Sequence, residues 1–275
     1  MTPIILVTGA SGFVGQAVLK ELSTRDVRIR LVLRREVNFP TSVDARIESV
    51  IYCDDLFNQP WTWWQDVCDG VDTVIHLAWY VNPADYLHSV KNTACVQGSV
   101  QLALGAAHAK VRRFAAVGTC FEYDLDAGYL STSTPLKPLS IYACAKVATY
   151  WMTKAICEQA NVEFLWGRFF YLYGENESPS RLVPYIHQKL LHGESVLLSS
   201  GEQIRDYLDV NDAAKQWLDY ILSSTIGAVN ICSEVGITVK TLALGIAEQY
   251  GRQDLLVFGA KARPSNDPDY VVGIK

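Results

Sequence analysis

With 275 residues, 49% of them apolar and only 19% charged, the chain can bury a large core and lacks the composition of a disordered polymer. A net charge of -5 gives no general attraction to nucleic acid, and no window reaches the ~18 uninterrupted apolar residues of a membrane span. The seven cysteines (Cys53, Cys68, Cys95, Cys120, Cys144, Cys157 and Cys232) are scattered, odd in number and without a C-x-x-C pair, which argues against a zinc site or a disulfide framework and for a reducing compartment.

The N-terminal "MTPIILVTGASG" carries neither a basic n-region nor a cleavage site, so the protein is expected to be soluble and cytoplasmic, with no membrane or nucleic-acid partner. "IILVT" (4–8) opens a series of short β-branched runs that continues with "RIRLVL" (28–33), "IESVIYC" (47–53), "TVIHLA" (73–78), "FAAVGT" (114–119) and "VEFLWGR" (162–168). Amphipathic stretches at 13–23, 92–109 and 140–159 lie between them and predict helices. Such alternation requires right-handed crossovers, hence an α/β fold with a doubly wound parallel sheet covered on both faces. After Gly174 the rhythm breaks into "ENESPSRLVPY", a helix-like 182–192, a Gly/Arg/Asp-rich stretch from 199 to 212, a strand "AVNICS" (228–233) and a helix over 238–250. The expected organisation is a main domain over 1–174, its sheet completed at about 206–233, and a smaller lobe made of 175–205 and 234–275.

"VTGASGFVG" sets Gly9, Gly12 and Gly15 directly after the first strand and at the mouth of the first helix. A dinucleotide pyrophosphate needs glycines there, because the turn is tight, the backbone must come close, and free helix N-terminal amides present the positive end of the dipole. Ser11, Phe13 and Val14 complete this cofactor-binding loop. At the end of the second strand NAD would call for an acidic residue to hold the ribose hydroxyls, but "LVLRRE" offers Arg34 and Arg35. Two guanidinium groups suit a 2′-phosphate, so NADP(H) is favoured over NAD(H), unless one or both simply lie at the surface. In "CDDL", Asp55 with Leu56 is placed to meet the adenine amino group, or serves as an ordinary turn residue.

Tyr142 and Lys146, in "SIYACAKVATYW" (140–151), stand four positions apart, so on the predicted helix a phenol and an ammonium address a common point. Packing alone often produces this spacing, and the pair gains meaning only from its company. With the glycine loop, "CDDL", "HLAW" (76–79), "VGTCFEY" (117–123) and "YACAK" (142–146) in this order, the chain resembles the extended short-chain dehydrogenase/reductase superfamily over nearly its whole length. More narrowly, it resembles the nucleotide-sugar epimerase/dehydratase/reductase branch.

The resemblance implies a Rossmann-type domain that binds NAD(P), with Leu77 and Ala78 among its contacts, and a smaller C-terminal α/β lobe that holds a nucleoside-diphosphate sugar. It also implies a homodimer and a Ser/Thr-Tyr-Lys catalytic group. Carried over by position, the hydroxyl is Thr119, the phenol Tyr142 and the lysine Lys146, the last two also touching the cofactor. A phenol with an ordinary pKa of about 10 is a poor acid or base at neutral pH, and a nearby ammonium lowers it toward a useful range. Thr119 alone would read as a strand residue serving a loop amide.

"RFFYLYGENE" matches a segment that in this branch usually reads Arg-x-x-Asn-x-Tyr-Gly, with Tyr171 in place of the asparagine that helps hold the sugar diphosphate. Arg205, and Arg263 in "KARPSNDPDY", are the candidate diphosphate or nucleoside contacts, or else exposed arginines paired with Asp206 or Asp267. Dehydratases of the branch carry an acidic residue one or two places after the catalytic hydroxyl, where this chain has Cys120 and Phe121. Glu122, on a continuing strand, would turn away from Thr119 and be structural; Cys120 reads as a buried small residue rather than an acid/base. The expectation is NADPH-dependent reduction of a 4-keto-6-deoxysugar at C4, with 4-epimerisation using bound NAD as the alternative. A non-catalytic NADP-binding sensor or scaffold is a third reading, opposed by the presence of all three catalytic positions.

Overall fold

The computed structural model describes residues 2–35, 46–264 and 267–275. Its elements in chain order are β1 (Ile4–Thr8), α1 (Phe13–Leu22), β2 (Arg28–Arg34), β3 (Ile47–Cys53), α2 (Trp61–Val67), β4 (Thr73–His76), α3 (Lys91–His108), β5 (Arg113–Thr119), β6 (Tyr129–Leu130) and α4 (Ile141–Gln159). The second half adds β7 (Glu163–Phe169), β8 (Tyr171–Tyr173), α5 (Leu182–Leu191), β9 (Val196–Leu197), β10 (Ile204–Asp209), α6 (Val210–Leu222), β11 (Gly227–Ile231), β12 (Gly236–Thr238), α7 (Val239–Gln249), β13 (Leu256–Val257) and β14 (Tyr270–Gly273).

The apolar runs are buried on both sides, as a parallel sheet between helices demands, and they pair in the order β3-β2-β1-β4-β5-β7-β11 with every neighbour parallel. The order therefore reverses between β1 and β4. On one face α1 and α6 cover Ile29, Leu31, Ile75 and Leu165 with Val18, Leu22, Trp217 and Ile221. On the other, α2, α3 and α4 bury Trp64, Leu102 and Tyr150 against Phe114 and Trp166. This is the expected Rossmann-type sheet, and the predicted strands and helices fall within two residues of the observed ones.

Two helices escaped the sequence reading. In α2 the run "WTWWQDV" is only seven residues long, too short for its period to declare itself. In α6 the signal was present: Asp209 caps the helix by accepting from Asn211 N–H, and Val210, Ala213, Ala214, Trp217, Leu218 and Ile221 recur at helical spacing. Of residues 206–233, β11 extends the main sheet beside β7 and α6 packs on α1. Residues 206–209 instead belong to β10, which pairs with β8, β12 and β14 in the smaller sheet. Beyond it, α5 and α7 close a separate core around Ile186, Leu190, Val196 and Ala247. Among the described residues no helix is long and apolar enough to cross a membrane, and no cluster of His, Cys, Asp or Glu could hold a metal ion.

Asp206 fastens the smaller sheet together. Fully buried, it accepts from Ser233 N–H and hydroxyl at 2.7 Å, from Glu234 N–H at 3.0 Å and from Gly273 N–H at 3.1 Å. Removing such an acceptor strands several buried donors at once. Asp206→Ala is expected to lower unfolding free energy by at least about 3 kcal/mol, read from the urea midpoint, whereas Asp269→Ala, on the surface, costs less than about 1 kcal/mol.

Candidate active site

β1 and β4 end side by side where the strand order reverses, and the carboxyl ends of such strands are where α/β sheets hold ligands. Gly9 turns the chain with φ +76°, and a Cβ there would lie 2.5 Å from the Ala78 backbone nitrogen. A Cβ on Gly15 would lie 2.0 Å from the Gly9 carbonyl oxygen. Gly12 is the N-cap of α1, which has no side-chain cap and no acidic residue in its first turn, so the terminal amides are left for an anion. The Ser11 carbonyl accepts from Gln16, while Phe13 and Val14 pack onto the core below. Leu77 N–H binds the Thr8 carbonyl at 3.1 Å and Ala78 is buried beside Gly9. A cradle that side chains would fill, opening onto bare helix amides, fits the pyrophosphate of a dinucleotide.

Two strands along, Thr119 ends β5, and its Oγ1 accepts from Phe121 N–H at 3.3 Å, capping a short 3-10 turn over residues 120–122. Ser140 caps α4 by accepting from Ala143 N–H at 3.1 Å, and the helix so begun turns Tyr142 and Lys146 inward, both buried. Lys146 Nζ donates to the Val117 carbonyl at 2.8 Å, which holds the ammonium against the same strand end as Thr119. It lies 3.7 Å from the centre of the Trp79 ring and 6.0 Å from that of Tyr142. Tyr86 and Trp79 meet the Tyr142 ring edge-on, at 5.0 and 6.4 Å.

Burial raises the Tyr142 phenol far above its ordinary value, with the Tyr86 and Glu122 charges adding and the Thr119 hydroxyl opposing. Burial also brings the Lys146 ammonium down to about 7, against the opposing pull of Glu122 and Cys95. His76, at the end of β4, is driven down to about 3 by burial and by Lys146. Its Nδ1 is 2.7 Å from Thr8 Oγ1 and its Nε2 2.8 Å from Ser99 Oγ, whose hydroxyl proton is committed to the Cys95 carbonyl. Nε2 therefore carries the ring proton and Nδ1 accepts from Thr8, which makes His76 a neutral brace. The lowering expected from a neighbouring ammonium is therefore not what the structure gives: burial dominates, the phenol keeps its proton, and Thr119, Tyr142 and Lys146 stand together at one strand end.

The turn after Thr119 corrects one expectation. Glu122 is not on a continuing strand but inside the 3-10 turn, fully buried, its carboxylate accepting from Thr119 N–H at 2.9 Å, from Trp166 Nε1 at 3.1 Å and from Arg168 Nε at 2.6 Å. Cys120 is buried with Tyr123, Leu130, Phe170 and Cys232, and burial pushes its thiol up to about 12.

The remaining predicted residues are spread more widely. Arg34 is exposed at the end of β2, and Arg35 Nε pairs with Asp54 at 2.9 Å across an exposed surface. Asp55 Oδ1 accepts from Phe57 N–H at 2.9 Å, the turn role, with Leu56 buried beneath. Tyr171 is brought near the turn that follows β5, its ring 6.0 Å from Phe121, and Arg205 lies over it at 5.4 Å. Arg205 is not the exposed arginine that its alternative reading supposed. It is buried and bonded to Asp267 at 2.5 Å, and Arg263 grips the same carboxylate at 3.0 Å and Asp269 at 2.6 Å. Trp79, Tyr86, His76 and Glu122 were not among the predicted site residues. Trp79 and His76 stood in the quoted "HLAW", but nothing in the sequence spacing brings Tyr86 to Tyr142.

Residues 5–232 match the model of the NAD dependent epimerase/dehydratase family. A dTDP-6-deoxy-L-talose 4-dehydrogenase (NAD(+)) from Aggregatibacter actinomycetemcomitans is 27% identical over 248 residues, spanning 86% of this chain and 87% of that protein. A UDP-N-acetylglucosamine 4-epimerase from Methanobrevibacter ruminantium superposes with a TM-score of 0.85 at 19% identity, covering 100% of this chain and 90% of that one. A dTDP-glucose 4,6-dehydratase from Streptomyces venezuelae, solved with NAD, superposes at 0.81 and 22%, covering 98% and 88%. From its glycine cradle to the strand that completes its main sheet, the chain belongs to the NAD dependent epimerase/dehydratase family.

Proposed function

We propose that the protein reduces a nucleoside-diphosphate 4-keto-6-deoxysugar at C4, using NADPH. The observation that carries this reading is a proton-transfer group without an elimination group. Thr119, Tyr142 and Lys146 surround one strand end, while the positions that follow offer a thiol held neutral, a phenyl ring, and a carboxylate whose oxygens are engaged by Thr119 N–H, Trp166 and Arg168. Loss of water from the sugar would need a free acid/base there. The relative from Aggregatibacter, a 4-dehydrogenase of a 6-deoxysugar by its name, supports redox chemistry at C4.

In this reading Thr119 and Tyr142 hold the sugar's O4, Tyr142 gives it a proton, and Lys146 compensates the charge left on the phenol. The bound nicotinamide supplies the hydride. Tyr171, Arg205 and Arg263 line the approach for the nucleoside diphosphate, and Asp55 and Leu56 the adenine. Arg34 and Arg35 support NADPH, because exposed guanidinium groups at the end of β2 stand where the 2′-phosphate would lie. The relative is named for NAD(+), so this preference is proposed from the chain's own residues.

Purified protein given NADPH or NADH and a panel of nucleotide-linked 4-keto-6-deoxysugars is expected to oxidise NADPH, with kcat/KM about tenfold higher than for NADH, the difference disappearing in Arg34→Ala/Arg35→Ala. Interconversion of C4 isomers without added cofactor, and no oxidation with any keto-sugar, would replace this reading with 4-epimerisation. Tyr142→Phe is expected to lower kcat by at least about a hundredfold while NADPH binding, followed by fluorescence, stays intact. Because Lys146 titrates at about 7 and acts as the ammonium, kcat/KM is expected to fall as pH rises through that value; a profile flat to pH 9 would remove Lys146 from this role.

A further inference from the structure

Glu122 sits deeper than a turn residue has reason to. The backbone of β5 is shaped around it: a Cβ on Gly118 would lie 2.1 Å from Glu122 Oε1 and 2.2 Å from Trp166 Nε1, so the strand carries no side chain where the carboxylate enters. Oε1 accepts from Thr119 N–H at 2.9 Å and Oε2 from Arg168 Nε at 2.6 Å. From Arg168 the contacts continue: its Nη1 donates to Tyr123 Oη at 3.1 Å, Tyr123 donates to Asn230 Oδ1 at 2.7 Å, and Asn230 Nδ2 donates to the carbonyls of Leu130 and Ile274 at 2.8 Å each. One end of this chain of bonds is the catalytic threonine. The other is the β6–β14 pair of the smaller sheet, and β14 in turn pairs with β10, which carries Arg205.

We propose that Glu122 is a positioning residue: it holds Thr119 in line with Tyr142 and ties that alignment to the strands that carry the sugar-binding side. The proposal rests on the C4 reductase reading for its substrate, but the alignment it describes belongs to the site itself. Glu122 also places a negative charge near Lys146. The ammonium is faced by Tyr142 from its own helix, by the neutral His76 from β4, by Cys95 from α3, by the Trp79 ring, and by Glu122 from the turn after β5, with Arg168 behind it. Of these, Glu122 opposes desolvation most strongly. Taking its charge away leaves Arg168 uncompensated and favours the neutral amine.

The test compares the parent with Glu122→Gln and Glu122→Asp. In Glu122→Gln the amide must turn an N–H toward one of three donors. The folded fraction, counted by NADPH binding, is expected to lose about tenfold to a hundredfold in kcat with KM for the keto-sugar and NADPH affinity within about twofold. The alkaline limb of kcat moves to lower pH, and hydrogen exchange at the Thr119 amide accelerates. In protein labelled with 15N-lysine, the Nζ signal lost in Lys146→Arg titrates at lower pH in Glu122→Gln than in the parent. Glu122→Asp keeps the charge but withdraws the carboxylate, so kcat falls and Thr119 exchange quickens while the Lys146 titration stays. If Glu122→Gln does not fold, the aspartate variant decides. Unchanged kcat per folded molecule with unchanged Thr119 exchange overturns the proposal, whatever the loss of stability. A parent that reduces no keto-sugar overturns the reductase reading instead, and the exchange and Nζ measurements, which need no turnover, still decide the part played by Glu122.

Discussion

Backbone meets backbone where β1 ends. Gly9 lies against Ala78, and Gly15 against the Gly9 carbonyl, at distances no side chain could share. That approach lets the first helix start directly over the point where the strand order reverses, and the rest of the upper face is arranged around it. β4 lies between β1 and β5, so the strand carrying Thr119 ends two strands from the glycine cradle. α4 crosses above with Tyr142 and Lys146, its lysine bonded to the β5 carbonyl at Val117. The glycine cradle and the cluster of Thr119, Tyr142 and Lys146 are thus two products of a single topology.

Charge inside this protein is handled in two ways. Arg168, Arg205 and Arg113 are buried in direct contact with carboxylates of Glu122, Asp267 and Glu163, and the acceptors of Asp206 are saturated by hydrogen bonds. At each of these groups the loss of water is matched by a partner. Lys146 is treated differently. It is bonded to a carbonyl and covered by the Trp79 ring, and Glu122, which supports it electrostatically, spends its oxygens on other donors. Under-compensation of one buried cation is what brings it down to about 7, and it occurs beside the buried Tyr142 phenol.

The same distinction separates the strand end around Lys146 from the smaller lobe. Arg205 and Arg263 converge on Asp267, and Arg205 lies over the Tyr171 ring, so the guanidinium groups are already oriented by a carboxylate. Asp206, next in the chain to Arg205, serves the fold alone. Two neighbouring residues of one strand, pointing to opposite sides, thus meet different partners, Arg205 the Asp267 carboxylate and Asp206 the backbone donors of Ser233, Glu234 and Gly273.

Local patterns in the chain determined a good deal. Period-2 and period-3.6 runs were enough for the parallel sheet and its principal helices, because burial on both faces forces continuous apolar strands. The glycine spacing announced the cradle, since no other residue allows that turn, and the order of "TCFEY" and "YACAK" brought Thr119, Tyr142 and Lys146 to notice. What depends on neighbours distant in the sequence was decided only by the tertiary structure. Alternation placed Glu122 on the wrong element, because the capping bond of Thr119 breaks the strand into a turn. Tyr86 meets Tyr142 across 56 positions (142 minus 86), Arg168 meets Glu122 across 46, and Arg205 meets Asp267 across 62. Periodicity records which face of an element is buried. Which charge finds which partner there, and so which proton is free to move, is settled by packing between elements.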